Sequence, residues 1–156
     1  MGIHGQIFVM HNGDMNIRAP FQCVMQVQAA HIDHMGHVNN AAYLEFMEQA
    51  AWCHTEALGL VWEDYQALDA GLVVHRHELD YLGAAFAGDW LQITTWIAAN
   101  DHRLTLWRGF EMRRSGEDKL LLRGLTRYVC VRLSSGRPRR MPPEFMHTYQ
   151  ALEQAP

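Results

Sequence analysis

The stretch HIDHMGHVNNAAYLEFMEQA, residues 31–50, carries the change from loop to helix on which the fold turns. From Asn39 onward, Tyr43, Phe46, Met47, Ala50, Ala57 and Leu58 recur at the spacing of one helix face. Glu45, Glu48, Gln49 and Glu56 mostly mark the other sides. Asn39 or Asn40 suits the N-cap, because an amide oxygen accepts a hydrogen bond from an unpaired backbone N–H. Gly59 is a natural stop. A helix over Asn39–Leu58 is therefore predicted, and at ~1.5 Å per residue it reaches ~30 Å, the width of a small domain.

On either side of this helix the hydrophobic period changes. Residues 21–29 (FQCVMQVQA) alternate loosely, with Phe21, Cys23, Met25 and Val27 to one side, as a half-buried strand would. After a short amphipathic turn or helix within 60–70, the segments Leu72–Leu82, Trp90–Ala98, Leu104–Arg113 and Lys119–Leu133 read as strands. Turn residues join them at Gly83 to Asp89, at Asn100-Asp101 and at Ser115-Gly116-Glu117-Asp118. The last two links are short enough to force antiparallel hairpins. The expected order is a strand, a long helix and a four-stranded meander, closed by a short helix from Pro142-Pro143 through Phe145 and Tyr149. This is an α+β chain with a sheet of five or more antiparallel strands. One helix cannot cover such a sheet, and outer faces such as Val73, His75, His77, Leu79 and Tyr81 are mixed, so a homo-oligomer, dimer or tetramer, is expected.

Composition narrows the class. At 156 residues one domain is expected, spanning 21–156 behind a loose extension over 1–20 in which Met15 is an alternative start. Apolar types make up 49% and charged types 19%, which excludes a disordered chain. Thirteen basic against seventeen acidic residues give a net charge of −4, unsuited to a dedicated nucleic-acid binder. No apolar run is long enough to span a membrane. Cys23, Cys53 and Cys130 are odd in number, lie far apart and form no CxxC pair, so neither a disulfide framework nor a zinc ribbon is expected. With no secretory pattern in the first twenty residues, a cytoplasmic location is the simplest expectation.

The loop before the helix holds the chemistry. Asp33 precedes Gly36 in a tight turn, and the N–H groups near Asn39, Asn40 and Ala41 have no partners inside the helix. Those amides and the helix dipole favour negative charge, either a bound anion or a carbonyl oxygen becoming an oxyanion. A carboxylate beside such a site can attack an activated acyl group. The plainer reading of Asp33 and Gly36, as turn and cap residues, stands beside this one.

The stretch resembles the signature of hotdog-fold acyl-CoA thioesterases of the 4-hydroxybenzoyl-CoA thioesterase type. It is most similar to the long-chain acyl-CoA branch, which carries Asp, three residues, then His-Val-Asn-Asn, Tyr and Glu. Asp33, Gly36, His37, Val38, Asn39, Asn40, Tyr43, Leu44, Glu45, Phe46 and Glu48 match as they stand. The resemblance implies a hotdog fold, a long helix wrapped by an antiparallel sheet, and hydrolysis of an acyl-CoA. It puts the catalytic acid on Asp33 and the carbonyl-polarising amide at Asn40. His37 and Asn39 take positioning or water-orienting roles, and Tyr43 falls at the substrate. Coenzyme A enters as part of the substrate, and no separate cofactor is implied. Two other readings are a hydroxyacyl-thioester dehydratase, which needs a His paired with an acid, and a non-catalytic acyl-CoA-binding module.

Three further features have both a chemical and a plain reading. His31, His34 and His37 recur at three-residue spacing, and His75 and His77 lie two apart on one expected strand face. Without a carboxylate or Cys at ligand spacing, no metal site is expected. Arg137, Arg139 and Arg140 form the densest basic cluster, suited either to the phosphates of coenzyme A or to a solvated turn. The five tryptophans can wall an aryl, fatty or quaternary-ammonium acyl group or simply pack a core and a subunit interface.

Overall fold

A computed structural model describes residues 7–9 and 19–152. Its strands are β1 (Ile7–Val9), β2 (Phe21–Gln26), β3 (Gly71–Tyr81), β4 (Trp90–Asn100), β5 (Thr105–Arg114) and β6 (Leu120–Val131). They form one antiparallel sheet in the order β1-β2-β4-β5-β6-β3. Helix α1 (Asn40–Ala57) lies across one face, followed by α2 (Trp62–Leu68), and α3 (Pro143–Thr148) ends the described chain. This is the expected α+β hotdog, with one strand more than the minimum of five.

Two sequence expectations are corrected. The meander holds for β4, β5 and β6 but not for β3, which crosses to the far edge and pairs with β6. β4 has no free side for it, since β2 occupies one flank (Cys23 opposite Ile93) and the β5 hairpin the other. Three strand spacings amount to ~14 Å, which the linking residues 82–89 span easily. In addition, Ile7–Val9, placed in a loose extension by the sequence, pair with β2. Residues 1–6 and 10–18 of that extension lie outside the described residues.

The core follows from the two periods. Tyr43, Phe46, Met47 and Ala50 form the buried stripe of α1, and they meet Cys23 and Met25 of β2, Leu91 and Ile93 of β4, Phe110 and Met112 of β5 and Leu122 of β6. A second apolar cluster closes the other end of the helix, where Leu60, Tyr65, Phe145 and Tyr149 pack on Ile97, Leu106 and Cys130. Phe110 is fully buried, so its truncation to Ala would cost ~3–5 kcal/mol. All three cysteines are free, and burial, with Cys53 nearby, pushes the Cys23 thiol up to about 12, the behaviour of a small apolar side chain.

Turn chemistry fixes the strand ends. At the β4–β5 turn, Asp101 Oδ1 accepts from the N–H groups of Arg103, Leu104 and Thr105, and Oδ2 accepts from the Thr105 hydroxyl. Burial acts to raise its pKa, but these donors outweigh it and hold the carboxyl well below the usual range.

Candidate active site

The loop before α1 folds back on itself through a bridge between Ile32 and Val38. The Asp33 N–H donates to His37 O at 3.0 Å, and the Gly36 N–H donates to Asp33 O at 3.0 Å, with Gly36 at φ 83°. Glycine takes that left-handed conformation without the Cβ clash other residues meet. The Asn39 N–H reaches back to His31 O at 2.8 Å, so the same hairpin that carries Asp33 delivers the helix start. Asp33 is half-buried, and its Oδ1 accepts from the Met35 N–H at 2.8 Å, which fixes the carboxylate within its own turn.

Asn39 is the N-cap, and its Oδ1 accepts from the Ala41 N–H at 2.8 Å, while the Ala42 N–H goes to Asn39 O at 2.9 Å. Among the described residues the Asn40 N–H, at the first helical position, has no acceptor. The helix dipole adds partial positive charge at the same point. A half-buried carboxylate and a vacant amide thus flank one short hairpin. The link between β3 and β4 supports it from behind. The Val38 N–H donates to Ala85 O at 2.9 Å, and Arg114 holds the link by donating to Ala84 O at 3.2 Å and to Asp89 Oδ2 at 2.9 Å.

The remaining expected site residues divide. His37 is half-buried with its ring edge-on to Phe86, and it forms no ion pair with a carboxylate among the described residues. Tyr43, expected at the substrate, is 2% exposed inside the core with its ring edge-on to Tyr81, because its place on the apolar stripe turns it toward the sheet. Arg139 donates to the carbonyls of Leu68 and Asp69 at 2.7 and 3.1 Å and so caps the end of α2, while Arg137 and Arg140 are exposed. The basic turn also lies far from Asp33 within one chain. Val131 bridges Pro138 at one end of β6, whereas Leu122 sits opposite Tyr81 at the other, nine residues or ~30 Å away.

The histidines of β3 do not share a face. A bulge between Val74 and Arg76 leaves His75 without a strand partner and turns Val74 and His77 to the same side. His77 Nδ1 meets Thr126 Oγ1 at 2.8 Å, and burial lowers its pKa. No group of three or more His, Cys, Asp or Glu among the described residues is arranged to hold a metal ion.

Below the hairpin, a cavity of about 420 Å³ runs between α1 and the sheet, from Leu44 along Glu48 and Ala51 to Thr55. Leu44 is one turn past Asn40, so the cavity begins just beyond the vacant amide, although Asp33, His37 and Asn40 do not line it. Its floor carries Arg108 of β5 beside Thr126 of β6. Arg108 is 2% exposed and donates to His54 Nδ1 at 2.6 Å and to Thr55 Oγ1 at 3.5 Å. Burial, with the guanidinium adding, drives His54 down to about 3, so it stays neutral and accepts this bond. Sequence reading missed both residues, yet each had a signal. Arg108 is in phase with Leu106, Phe110 and Met112 on the inward face of its strand, and His54 is four residues past Ala50 on the buried helix stripe.

Comparison with known proteins agrees with this architecture. The family model for the thioesterase-like superfamily matches residues 27–148. A 1,4-dihydroxy-2-naphthoyl-CoA thioesterase from Synechocystis superposes with a TM-score of 0.76 at 20% identity, covering 88% of this chain and 100% of its own. YbaW, a probable thioesterase from Escherichia coli, gives 0.71 at 25% identity over 81% and 94%. A Staphylococcus aureus protein solved in complex with CoA, SAV2348, gives 0.78 at 18% identity over 92% of each chain. No curated protein sequence matches the chain. With the family model covering most of its length, and thioesterases among its structural neighbours, the chain belongs to the thioesterase-like superfamily and is a hotdog-fold thioester hydrolase.

Proposed function

We propose that the chain hydrolyses an acyl-CoA at the start of α1, with Asp33 as nucleophile or as base for the attacking water. The balance is R–CO–S–CoA + H2O → R–COO⁻ + CoA–SH + H⁺. The observation that carries this reading is the Asn40 N–H, left without an acceptor among the described residues, at the end of the short hairpin that also carries the half-buried Asp33 carboxylate. In the tetrahedral intermediate that amide donates to the oxyanion, where the helix dipole adds to the stabilisation. The leaving thiolate comes from a thiol that ionises near ~8.5, so no strong general acid is required. His37 and Asn39 act as positioning residues. The His37 carbonyl anchors the Asp33 backbone, and the Asn39 cap holds the Ala41 amide while leaving Asn40 vacant. The acyl group extends along α1 into the cavity that opens at Leu44. No cofactor takes part, coenzyme A being a portion of the substrate. Three free thiols suit a reducing cytoplasm.

The working unit is a homodimer joined along β3. That strand is an edge, and it exposes Val73 (44%), Val74 (51%) and Tyr81 (43%), apolar side chains spread over its two faces that a second copy would cover. Antiparallel pairing of β3 with a second copy sets the Gly71 end of one protomer beside the Tyr81 end of the other. Gly71 pairs with Val131 next to the basic turn, so Arg137 and Arg140 of one copy come to the helix start of its partner, within reach of coenzyme A phosphates.

Replacement of Asp33 by Asn tests the chemistry. Thiol release from a good acyl-CoA should fall by at least a hundredfold, with the far-ultraviolet spectrum and the dimer unchanged. Native turnover in Asp33→Asn would end the assignment of Asp33.

A further inference from the structure

Helix α1 presents a second stripe beside the one that faces the sheet core. Leu44, Glu48, Ala51 and Thr55 follow one another at the three- and four-residue spacing of neighbours on a helix surface, and all four line the cavity. Ala51 is the smallest of the α1 side chains that do so. The adjacent Trp52 is held away from the space this leaves, because its ring packs on Tyr65 at 5.3 Å and on Trp62 at 6.2 Å between centroids. Leu72 and Leu106 keep the facing wall apolar. Thr55 is the last α1 residue of the lining, and its hydroxyl meets that of Tyr149 at 3.0 Å. The Arg108 guanidinium is taken up at the same level by His54 and Thr55. The stripe therefore narrows to a small side chain between an apolar entrance at Leu44 and a hydrogen-bonded end at Thr55.

Distances along the helix convert this lining into acyl-chain lengths. At ~1.5 Å per residue, Leu44 lies ~6 Å, Ala51 ~16 Å and Thr55 ~22 Å past Asn40, the position assigned above to the thioester carbonyl. An extended acyl chain advances ~1.25 Å per carbon, from bonds of ~1.5 Å at tetrahedral angles. A chain of about six carbons then ends near Leu44 and leaves the cavity unfilled, one of about ten stops short of Ala51, and one of about sixteen passes it. Each further methylene buried between the walls favours binding ~fourfold, up to the carbon that meets an obstacle. A helical side chain leans toward the N-terminus, so a large one at position 51 would meet the chain at about the twelfth carbon. We propose that Ala51 sets the length of acyl chain the site accepts, its methyl group leaving passage for straight chains of more than about twelve carbons. This rests on the thioesterase reading above and deepens it, by assigning the residue that decides among acyl groups.

The test compares palmitoyl-CoA with decanoyl-CoA by thiol release, both below the concentrations at which they form micelles. Wild-type kcat/KM should be several-fold higher for palmitoyl-CoA, whose chain passes Ala51, than for decanoyl-CoA, whose chain does not. Ala51→Phe should lower the palmitoyl-to-decanoyl ratio at least tenfold, and Ala51→Leu should lower it by a smaller factor. A ratio that stays at the wild-type value in a folded Ala51→Phe, or a wild type that prefers decanoyl-CoA, would overturn the role of Ala51 and leave the thioesterase reading intact. If Ala51→Phe does not fold, the same ratio in Ala51→Leu decides. If neither ester releases thiol, the thioesterase reading fails, and binding of the two esters followed by tryptophan fluorescence then decides about Ala51. Tighter binding of palmitoyl-CoA in wild type that is lost in Ala51→Phe supports the assignment, whereas equal affinities or no binding overturn it.

Discussion

The phenol of Tyr81 donates to the backbone carbonyl of Asn40 at 3.1 Å, which ties the last residue of the edge strand to the first residue of the central helix. Tyr43 lies edge-on behind the phenol at 5.6 Å between ring centroids, so the pair braces the helix start against β3. The bond is partly exposed, so its net worth to stability is small, ~0.5–1 kcal/mol. Its larger effect is on position, because the Asn40 carbonyl and the Ala41 amide belong to one rigid peptide plane, and the helical φ and ψ of Asn40 link that plane to the preceding one, which carries the Asn40 amide. Tyr81→Phe keeps the ring packing and removes only the hydroxyl. Its kcat for a good acyl-CoA should fall several-fold while the urea midpoint shifts slightly. A kcat equal to wild type would mean that the helix start is held without this bond.

Acid should destabilise the fold through His54. In the folded chain its pKa is near 3 because of burial and the adjacent Arg108 guanidinium, against 6.5 when exposed. Between those values the unfolded chain binds a proton that the folded chain resists, so stability is complete above about 6.5 and is lost as the pH falls toward 3. The slope from this one group approaches ~1.4 kcal/mol per pH unit within that window. His77, lowered by burial, acts in the same direction. Other groups titrate there as well, so the informative quantity is the difference between wild type and His54→Gln, which still offers Arg108 an acceptor oxygen. Urea midpoints at pH 7, 5 and 4 should fall more steeply for wild type. Parallel curves would mean that the imidazole is not held neutral.

What the sequence made legible was local, and what it hid was long-range. The helix over 39–58 and the strand segments followed from periods of 3.6 and 2, and they stand within a few residues of their observed limits. That Asp33 and Asn40 lie on one hairpin of eight residues was legible because the link between them is local. The place of β3 was not. Its alternation is the same whether it lies beside β4 or at the edge, and the choice is made by β2 occupying the flank of β4. A motif position says nothing about which way the Tyr43 side chain turns, and here the helix stripe places it in the core. Arg108 and His54 are 54 residues apart and meet only when β5 passes beneath the end of α1.

The pairing proposed for β3 has a consequence that a mixture of two inactive proteins can expose. Arg137 and Arg140 are ~30 Å from their own helix start but beside that of the partner if two copies join along β3. Consider Asp33→Asn in one preparation and Arg137→Ala/Arg140→Ala in another, each weak on its own at low acyl-CoA concentration. In a hybrid dimer, one site combines an intact Asp33 with the intact arginines of the other chain, and the second site lacks both. Random exchange of subunits makes half of the dimers hybrids with one good site in two, so about a quarter of wild-type activity should return. Arginines that served the site of their own chain would leave no complete site in any hybrid, and activity would stay at the level of the two parents. Size-exclusion chromatography of the mixture verifies that dimers have exchanged. Recovered activity then locates the basic turn across the interface, and a flat result from exchanged dimers rejects it.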